Sequence, residues 1–129
     1  MAEDATHTQV SILLVDDEAL ILRTIPRLFH KLPVSIRSAN SAAEALTLLE
    51  QEQPDLLISD FEMPGTNGLD LLEQVRLRWP KVHSILNTGE SGAIADAKRR
   101  GFVAVFKADA NDSLLALVTE AVERKRSRQ

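Results

Sequence analysis

Five short apolar runs alternate with segments of helical periodicity along almost the whole chain. The runs cover residues 11–15, 34–38, 55–59, 83–87 and 102–106, and the second is more polar, as is common near a sheet edge. Strands that are apolar almost throughout are typical of a parallel sheet with helices on both faces. Because 129 residues are too few for an eight-unit barrel, the alternation predicts an α/β fold with an open, doubly wound sheet.

Local signals indicate where the helices begin and end. Apolar residues at helical spacing predict helices over residues 19–30, 69–78, 93–100 and 112–126, with residues 89–92 as a loop. A further helix follows Ser41, which has the capping-box spacing to Glu44. Pro26 removes a backbone donor inside the first helix, so we expect a kink or break near residues 24–26.

The composition excludes several classes of protein. The chain has no Cys, which excludes a disulfide framework, a thiolate zinc site and a cysteine nucleophile, and its three His are scattered. No apolar run approaches the roughly 18–20 residues that span a bilayer, and the polar start is unlike a signal peptide. We therefore expect one cytoplasmic domain over residues 10–123 without membrane contact, preceded by a flexible arm, residues 1–9.

The charge is distributed unevenly along the chain. The formal net charge is −4, but residues 123–129 carry +3 and the remainder carries −7. An acidic body repels phosphate groups, which argues against direct nucleic-acid binding by this domain. The basic tail, residues 124–129, is interpreted as a solvated helix end or the beginning of a linker.

Polar residues follow four of the predicted strands. Asp16 and Asp17 follow the first, Asp60 the third, Thr88 the fourth and Lys107 the fifth. Ligands of open parallel sheets bind beyond the carboxyl ends of the strands. If these ends meet at one edge, three carboxylates, a hydroxyl and an ammonium converge there.

The chemistry of this set points to phosphoryl transfer. Carboxylate ligands without His or Cys favour Mg²⁺, which leaves a position open for a phosphate oxygen. A carboxylate in such a site can attack a phosphoryl group and form an aspartyl phosphate. Asp60 is the candidate nucleophile because it stands alone after a buried strand, whereas Asp16 and Asp17 form a pair suited to metal. Thr88 and Lys107 would stabilise the phosphoryl oxygens.

These residues resemble the receiver domain of bacterial two-component response regulators, of the chemotaxis-regulator type. The resemblance rests on the acidic stretch 15–18, the D-x-x-M-P-x-x-x-G stretch 60–68, Thr88-Gly89 and Lys107, and it covers residues 10–123. It implies a flavodoxin-like fold with strand order 2-1-3-4-5. It further implies phosphorylation by a sensor histidine kinase or phosphotransfer protein with Mg²⁺, and a switch acting on an output domain, a downstream protein or a homodimer.

The resemblance also implies a role for each residue of the site. Asp60 matches the phosphoacceptor, Asp17 the direct metal ligand, and Asp16 the ligand of a metal-bound water. The backbone carbonyl of Glu62 matches the third protein ligand of the metal. Thr88 matches the switch hydroxyl, and Lys107 matches the lysine that pairs with the phosphate. Glu62 and Glu90 match the variable positions that tune the rate of dephosphorylation.

Two positions depart from the family pattern. The residue after Lys107 is usually a proline, often in a cis bond, but here it is Ala108. A cis bond before a residue other than proline costs about 2.5–4 kcal/mol, so a trans bond is expected. The aromatic switch position, three residues before the lysine, holds Ala104. Coupling to the output face would then be weak, or carried by Phe102, Phe106 or loop movement.

Two alternatives remain open. A phosphatase of the haloacid-dehalogenase type also forms an aspartyl phosphate, but it places a second Asp where this chain has Glu62, and it needs a larger body. A phosphorylation-independent binding module would keep the receiver fold without the switch. Ala104 and Ala108 favour that second alternative, whereas the intact acidic, hydroxyl and lysine positions favour a working receiver that is not an enzyme.

Overall fold

Five parallel strands form a single sheet in the computed structural model, which describes residues 9–128. The strand order is β2-β1-β3-β4-β5, and all neighbouring pairs are parallel. The strands are β1 (Val10–Val15), β2 (Val34–Ala39), β3 (Leu56–Ser59), β4 (His83–Thr88) and β5 (Val103–Phe106). The expected order 2-1-3-4-5 is confirmed, and β2 is the more polar edge strand.

Each strand is followed by helical structure. The helices are α1 (Ala19–Thr24), α2 (Ala42–Gln51), α3 (Gly68–Arg78), α4 (Ser91–Arg99) and α5 (Ala110–Ser127). Two 3₁₀ segments, Ile25–Phe29 and Lys107–Asp109, precede β2 and α5. None of the helices within residues 9–128 is both long and apolar enough to cross a membrane.

The sheet separates two hydrophobic cores. Because side chains alternate along a strand, Leu13 and Leu57 pack with α2, α3 and α4, whereas Ile12 and Ile58 pack with α1 and α5. β1 and β3 are therefore apolar on both faces, which explains their nearly continuous hydrophobic sequence. In β4 only Ile85 and Leu86 contribute to the two cores.

Two local expectations about helices are confirmed. The first helix changes from α to 3₁₀ geometry after Thr24, with Pro26 near the start of the 3₁₀ segment. Ser41 caps α2, since its Oγ accepts the Glu44 N–H at 3.1 Å. The Glu44 carboxylate closes the turn by accepting the N–H of Asn40, one residue before the cap.

The loop expected at residues 89–92 is confirmed for residues 89 and 90 but is wrong for 91 and 92, because α4 already begins at Ser91. Its first backbone hydrogen bond to the preceding loop joins the Ile94 N–H to the Glu90 carbonyl. The early start places Ala93 and Ala97 in the core next to β4. Their burial outweighs the helix penalty of Gly92, about 1 kcal/mol relative to Ala.

The last helix attaches the carboxyl-terminal part of the domain to the sheet. Residues 124–127, interpreted from sequence as a basic tail, continue α5. Lys125 Nζ donates to Asp55 Oδ2 at 2.8 Å and to the Gln9 carbonyl at 2.7 Å. The expected flexible arm lies outside the described residues except for Gln9, so the arm and the boundary at residue 123 remain predictions.

Candidate functional site

The carboxyl ends of β1, β3, β4 and β5 lie side by side, and the polar residues that follow them meet at this edge. Asp16, Asp17 and Asp60 each offer one carboxylate oxygen in a group whose members all lie within 4.8 Å of one another. Asp16 and Asp60 are buried, whereas Asp17 is exposed. The convergence expected from the strand-end positions is therefore present in the structure.

Backbone hydrogen bonds hold the two buried carboxylates in place. The Asp60 N–H donates to the Val15 carbonyl at 2.9 Å, so sheet pairing continues one residue beyond β3. Asp60 Oδ1 accepts the Phe61 N–H at 2.8 Å, and Asp16 Oδ1 accepts the Glu18 N–H at 2.9 Å. Each carboxylate therefore has one oxygen held by a backbone N–H.

The loop that follows Asp60 folds back onto it. The Gly68 N–H donates to the Phe61 carbonyl at 2.8 Å, and Asn67 caps α3 by accepting the Asp70 N–H at 2.9 Å. Gly65 has a φ of 81°, a left-handed conformation that suits glycine. Gly68 lies so close to the Asp60 backbone that a Cβ there would overlap the Asp60 carbonyl oxygen. The sequence analysis did not predict this contact.

Lys107, which follows β5, extends its ammonium group to the buried carboxylates. Its Nζ lies 3.3 Å from Asp60 Oδ1, 3.4 Å from Asp16 Oδ2 and 3.7 Å from Glu18 Oε1. The Lys107–Ala108 bond is trans, as expected, because no cis peptide bond occurs within residues 9–128. Residues 107–109 form a 3₁₀ turn after β5.

Burial raises the pKa of both buried carboxyls. For Asp60 the desolvation is reinforced by the nearby charge of Asp16, and Lys107 only partly opposes the shift. For Asp16 desolvation again outweighs the backbone hydrogen bond from Glu18 and the charge of Lys107. Burial alone would lower the pKa of Lys107, but the two carboxylates raise it overall. The site therefore holds more negative charge than one ammonium compensates, and this favours an added cation.

These shifts predict how stability depends on pH. The folded state binds protons at Asp60 more tightly than the unfolded chain, whose Asp pKa is near 3.8. The contribution of Asp60 to folding must then become less favourable as the pH rises through its raised folded-state pKa.

We expect the stability of Asp60→Asn to rise relative to wild type between pH 4 and pH 7 in a chelator. Urea unfolding at a series of pH values measures this difference. A constant difference across the range would contradict the raised pKa.

The buried Thr88 and two exposed glutamates, Glu62 and Glu90, lie on another side of the site. The buried Thr88 hydroxyl oxygen accepts the Glu90 N–H at 3.1 Å. A hydrogen bond with Glu62, followed by desolvation, raises the pKa of the exposed Glu90 carboxyl. Thr88 and Glu62 border an open cavity of about 370 Å³, which is lined by Asp17, Glu18, Asp60, Glu62, Thr88, Gly89 and Lys107. Of the predicted residues, Asp17, Asp60, Glu62, Thr88 and Lys107 line this cavity. Asp16 lies next to it, within ion-pair distance of Lys107.

The aromatic positions around Ala104 differ in exposure. Ala104 is partly buried against the core on the α4 side. Phe102 is 9% exposed, with the Arg76 guanidinium 4.2 Å from its ring centre, whereas Phe106 is 41% exposed. Of the two phenylalanines considered from sequence, only Phe106 is accessible at the surface.

Sequence reasoning assigned no role to Asn87 or Glu18. Glu18 lies within ion-pair distance of Lys107. Asn87 is 3% exposed, and its Oδ1 is the one fully buried side-chain polar atom without a hydrogen-bond partner in residues 9–128. The available signal was a carboxamide at the carboxyl end of β4, between the apolar pair Ile85-Leu86 and Thr88.

Comparison with known proteins agrees with this geometry. Residues 12–120 match the family model of the response regulator receiver domain. The chain is 42% identical over 89 residues to the alginate biosynthesis transcriptional regulatory protein AlgB of Pseudomonas syringae, covering 69% of this chain and 20% of that protein. It is 30% identical over 121 residues to the DNA-binding transcriptional regulator NtrC of Escherichia coli, covering 92% and 26%.

Among solved structures, the signal receiver domain of an HD domain-containing protein from Pseudomonas fluorescens superimposes with a TM-score of 0.82 at 30% identity. That match covers 99% of this chain and 96% of the other. The receiver domain protein from Clostridium thermocellum gives a TM-score of 0.78 at 27% identity, covering 93% and 99%. The chain spans about a fifth to a quarter of the length of the curated relatives it matches.

Proposed function

Because this chain belongs to the response regulator receiver domain family of two-component signalling, we propose that it accepts a phosphoryl group on Asp60. The observation that carries this proposal is the position of Asp60, buried beside Asp16 and Asp17 with Lys107 Nζ 3.3 Å from its Oδ1. Receiver domains of this family are generally signalling domains, and we propose that this one acts as a switch rather than as an enzyme.

The donor set at the site fits Mg²⁺. Asp16, Asp17 and Asp60 supply only carboxylate oxygens, and burial, reinforced by the charge of Asp16, raises the pKa of Asp60. Hard oxygen donors of this kind suit Mg²⁺ rather than a softer metal. Asp16, Asp17, Asp60 and the Glu62 carbonyl would hold the ion, which when bound neutralises charge on the phosphoryl oxygens.

Asp60 and Lys107 have complementary tasks in the proposed transfer. One Asp60 carboxylate oxygen attacks the phosphorus of a phosphohistidine, the P–N bond breaks, and the histidine nitrogen keeps the electron pair and takes up a proton. The product is an aspartyl phosphate. The Lys107 ammonium, already between Asp16 and Asp60, pairs with the charge on the phosphoryl group, and the Thr88 hydroxyl donates to it.

Glu62 lines the cavity, and Glu90 lies close enough to interact with the Glu62 carboxyl. Water that hydrolyses an aspartyl phosphate must enter past these side chains. We propose that these two side chains set the lifetime of the phosphorylated form, because their charge and size affect the access of water to the phosphoryl group.

The switched surface must work without an aromatic residue at position 104. Phe106 is the exposed aromatic side chain of β5, directly before Lys107. We propose that it takes part in the partner-binding or dimerisation surface, because movement of Lys107 acts on it through the backbone.

The partners follow from the chemistry and from the relatives. A sensor histidine kinase or phosphotransfer protein would supply the phosphoryl group in the cytoplasm, and an output domain or downstream protein would read it. The names of AlgB and NtrC describe transcriptional regulators, so we propose an output in transcription. The acidic body makes direct nucleic-acid binding by this domain unfavourable.

Intact mass after incubation with a small phosphodonor tests this function. We expect one phosphoryl adduct that requires Mg²⁺ and is absent when a chelator is added. A folded protein without any adduct would contradict the proposal. That result would favour the phosphorylation-independent binding module, for which Ala104 and Ala108 are the supporting observations.

A further inference from the structure

Within residues 9–128, Asn87 carries the one fully buried side-chain polar atom that has no hydrogen-bond partner. Its Oδ1 is fully buried and accepts no hydrogen bond from residues 9–128, although the side chain is 3% exposed. A buried acceptor without a donor destabilises a folded protein, and such atoms are rare in native structures. An apolar side chain at this position would avoid the cost, so the carboxamide calls for an explanation beyond folding.

The register of the sheet places Asn87 beside the phosphoacceptor. Ser59 pairs with Leu86 in the β3–β4 ladder, so Asn87 is the next residue opposite Asp60. Ile58 and Ile85 belong to the core on the α1 and α5 side, and alternation puts Asp60 and Asn87 on the same face. Asn87 therefore flanks Asp60 on β4, as Asp16 does on β1.

Lys107 must cross the end of β4 to reach Asp60. It follows β5, Asp60 follows β3, and β4 lies between these two strands. Two strand spacings amount to about 10 Å, yet Lys107 Nζ lies 3.3 Å from Asp60 Oδ1. The residue that β4 presents on this face, under the path of the lysine side chain, is Asn87.

The partners of the ammonium change when Asp60 is phosphorylated. An ammonium has three N–H donors, and in this structure they face the carboxylates of Asp16, Glu18 and Asp60. Formation of the acyl phosphate removes the carboxylate charge of Asp60 and moves the negative charge outward onto the phosphoryl oxygens. When one N–H donor of Lys107 pairs with a phosphoryl oxygen, a neutral carboxamide oxygen beside the path of the lysine can accept another.

We propose that Asn87 is a positioning residue for phosphoryl transfer, whose buried Oδ1 accepts an N–H of the Lys107 ammonium and holds it at the phosphoryl group. This inference rests on the proposed function of Asp60. In this proposal Asn87 takes no part in making or breaking bonds and acts through Lys107.

The isosteric pair Asn87→Val and Asn87→Thr isolates the oxygen, because the two side chains share a shape and only Thr keeps an acceptor. We expect Asn87→Val to form the phosphoryl adduct about tenfold more slowly with a small phosphodonor and Mg²⁺, the size of one hydrogen bond to a charged group. Asn87→Thr should recover at least part of the rate. In a chelator, Asn87→Val should unfold about 4 °C higher than wild type, because a buried acceptor is removed.

The same change in a Lys107→Ala background separates positioning from a general effect. If Asn87 acts through Lys107, Asn87→Val should slow that variant less than twofold. Equal slowing in both backgrounds, equal rates for Val and Thr, or an unchanged rate for Asn87→Val would overturn the inference. Lack of an adduct on the wild-type chain would instead overturn the proposed function on which it rests.

Discussion

Replacement of Asp60 by asparagine is expected to abolish the phosphoryl adduct altogether. The carboxamide keeps the shape of the side chain but lacks the carboxylate electron pair that attacks phosphorus. The neighbouring carboxylates do not substitute for it. Asp16 accepts the Glu18 N–H on one oxygen and faces Lys107 with the other. Asp17 is exposed and lies beyond the end of β1. Intact mass with a small phosphodonor and Mg²⁺ measures the loss.

The variant should remain folded, so that loss of the adduct reports chemistry. Asp60 is a buried carboxyl whose pKa is raised by desolvation and by Asp16, and removal of its charge at neutral pH relieves that cost. We therefore expect an unfolding midpoint at pH 7 in a chelator at or above that of wild type. An adduct that persists in Asp60→Asn would place the nucleophile on another residue.

Replacement of Gly68 by alanine is expected to be the most destabilising single methyl addition among the glycines. A Cβ at Gly68 would overlap the Asp60 carbonyl oxygen and lie 2.8 Å from the Asp60 carbonyl carbon and 2.9 Å from the Phe61 Cα. These are backbone atoms, which cannot rotate away as the end of a side chain can. We expect a loss at or above the upper end of the about 1–3 kcal/mol that overpacking costs.

The damage should extend to the site, because the segment that must move carries the phosphoacceptor. Gly92→Ala is the matched control, because its added Cβ would meet no atom within 4 Å apart from its chain neighbours and the backbone of its own helix. In α4, alanine should be neutral or stabilising by up to about 1 kcal/mol. Urea unfolding of both variants measures the difference. Equal stability of the two would show that the loop accommodates a side chain at Gly68.

Much of the fold was predictable because its signals are local. The apolar runs located every strand to within a residue at either end, Pro26 marked the change of helix type, and Ser41 marked the start of α2. The prediction failed at residues 91 and 92, which were assigned to a loop. The burial of Ala93 against the sheet, a tertiary contact, is consistent with a helix that begins at Ser91.

The candidate site was predictable in its members but not in its contacts. The rule that ligands bind beyond the carboxyl ends of parallel strands brought Asp16, Asp60 and Lys107 together without coordinates. Residue type alone did not reveal that Asn87 lacks a donor, that Gly68 touches the Asp60 backbone, or that Lys125 binds Asp55. Each of these depends on which atoms of distant segments meet.

The sequence by itself determined the class of fold, the edge of the sheet that carries the site and the chemistry available there, because periodicity and strand-end residues are properties of short segments. The tertiary structure alone decided the strand register, the crossing of β4 by Lys107 and the burial that raises the pKa of Asp60. These follow from the packing of segments more than 25 residues apart, such as Asp60 and Asn87, whose relative position no local pattern encodes.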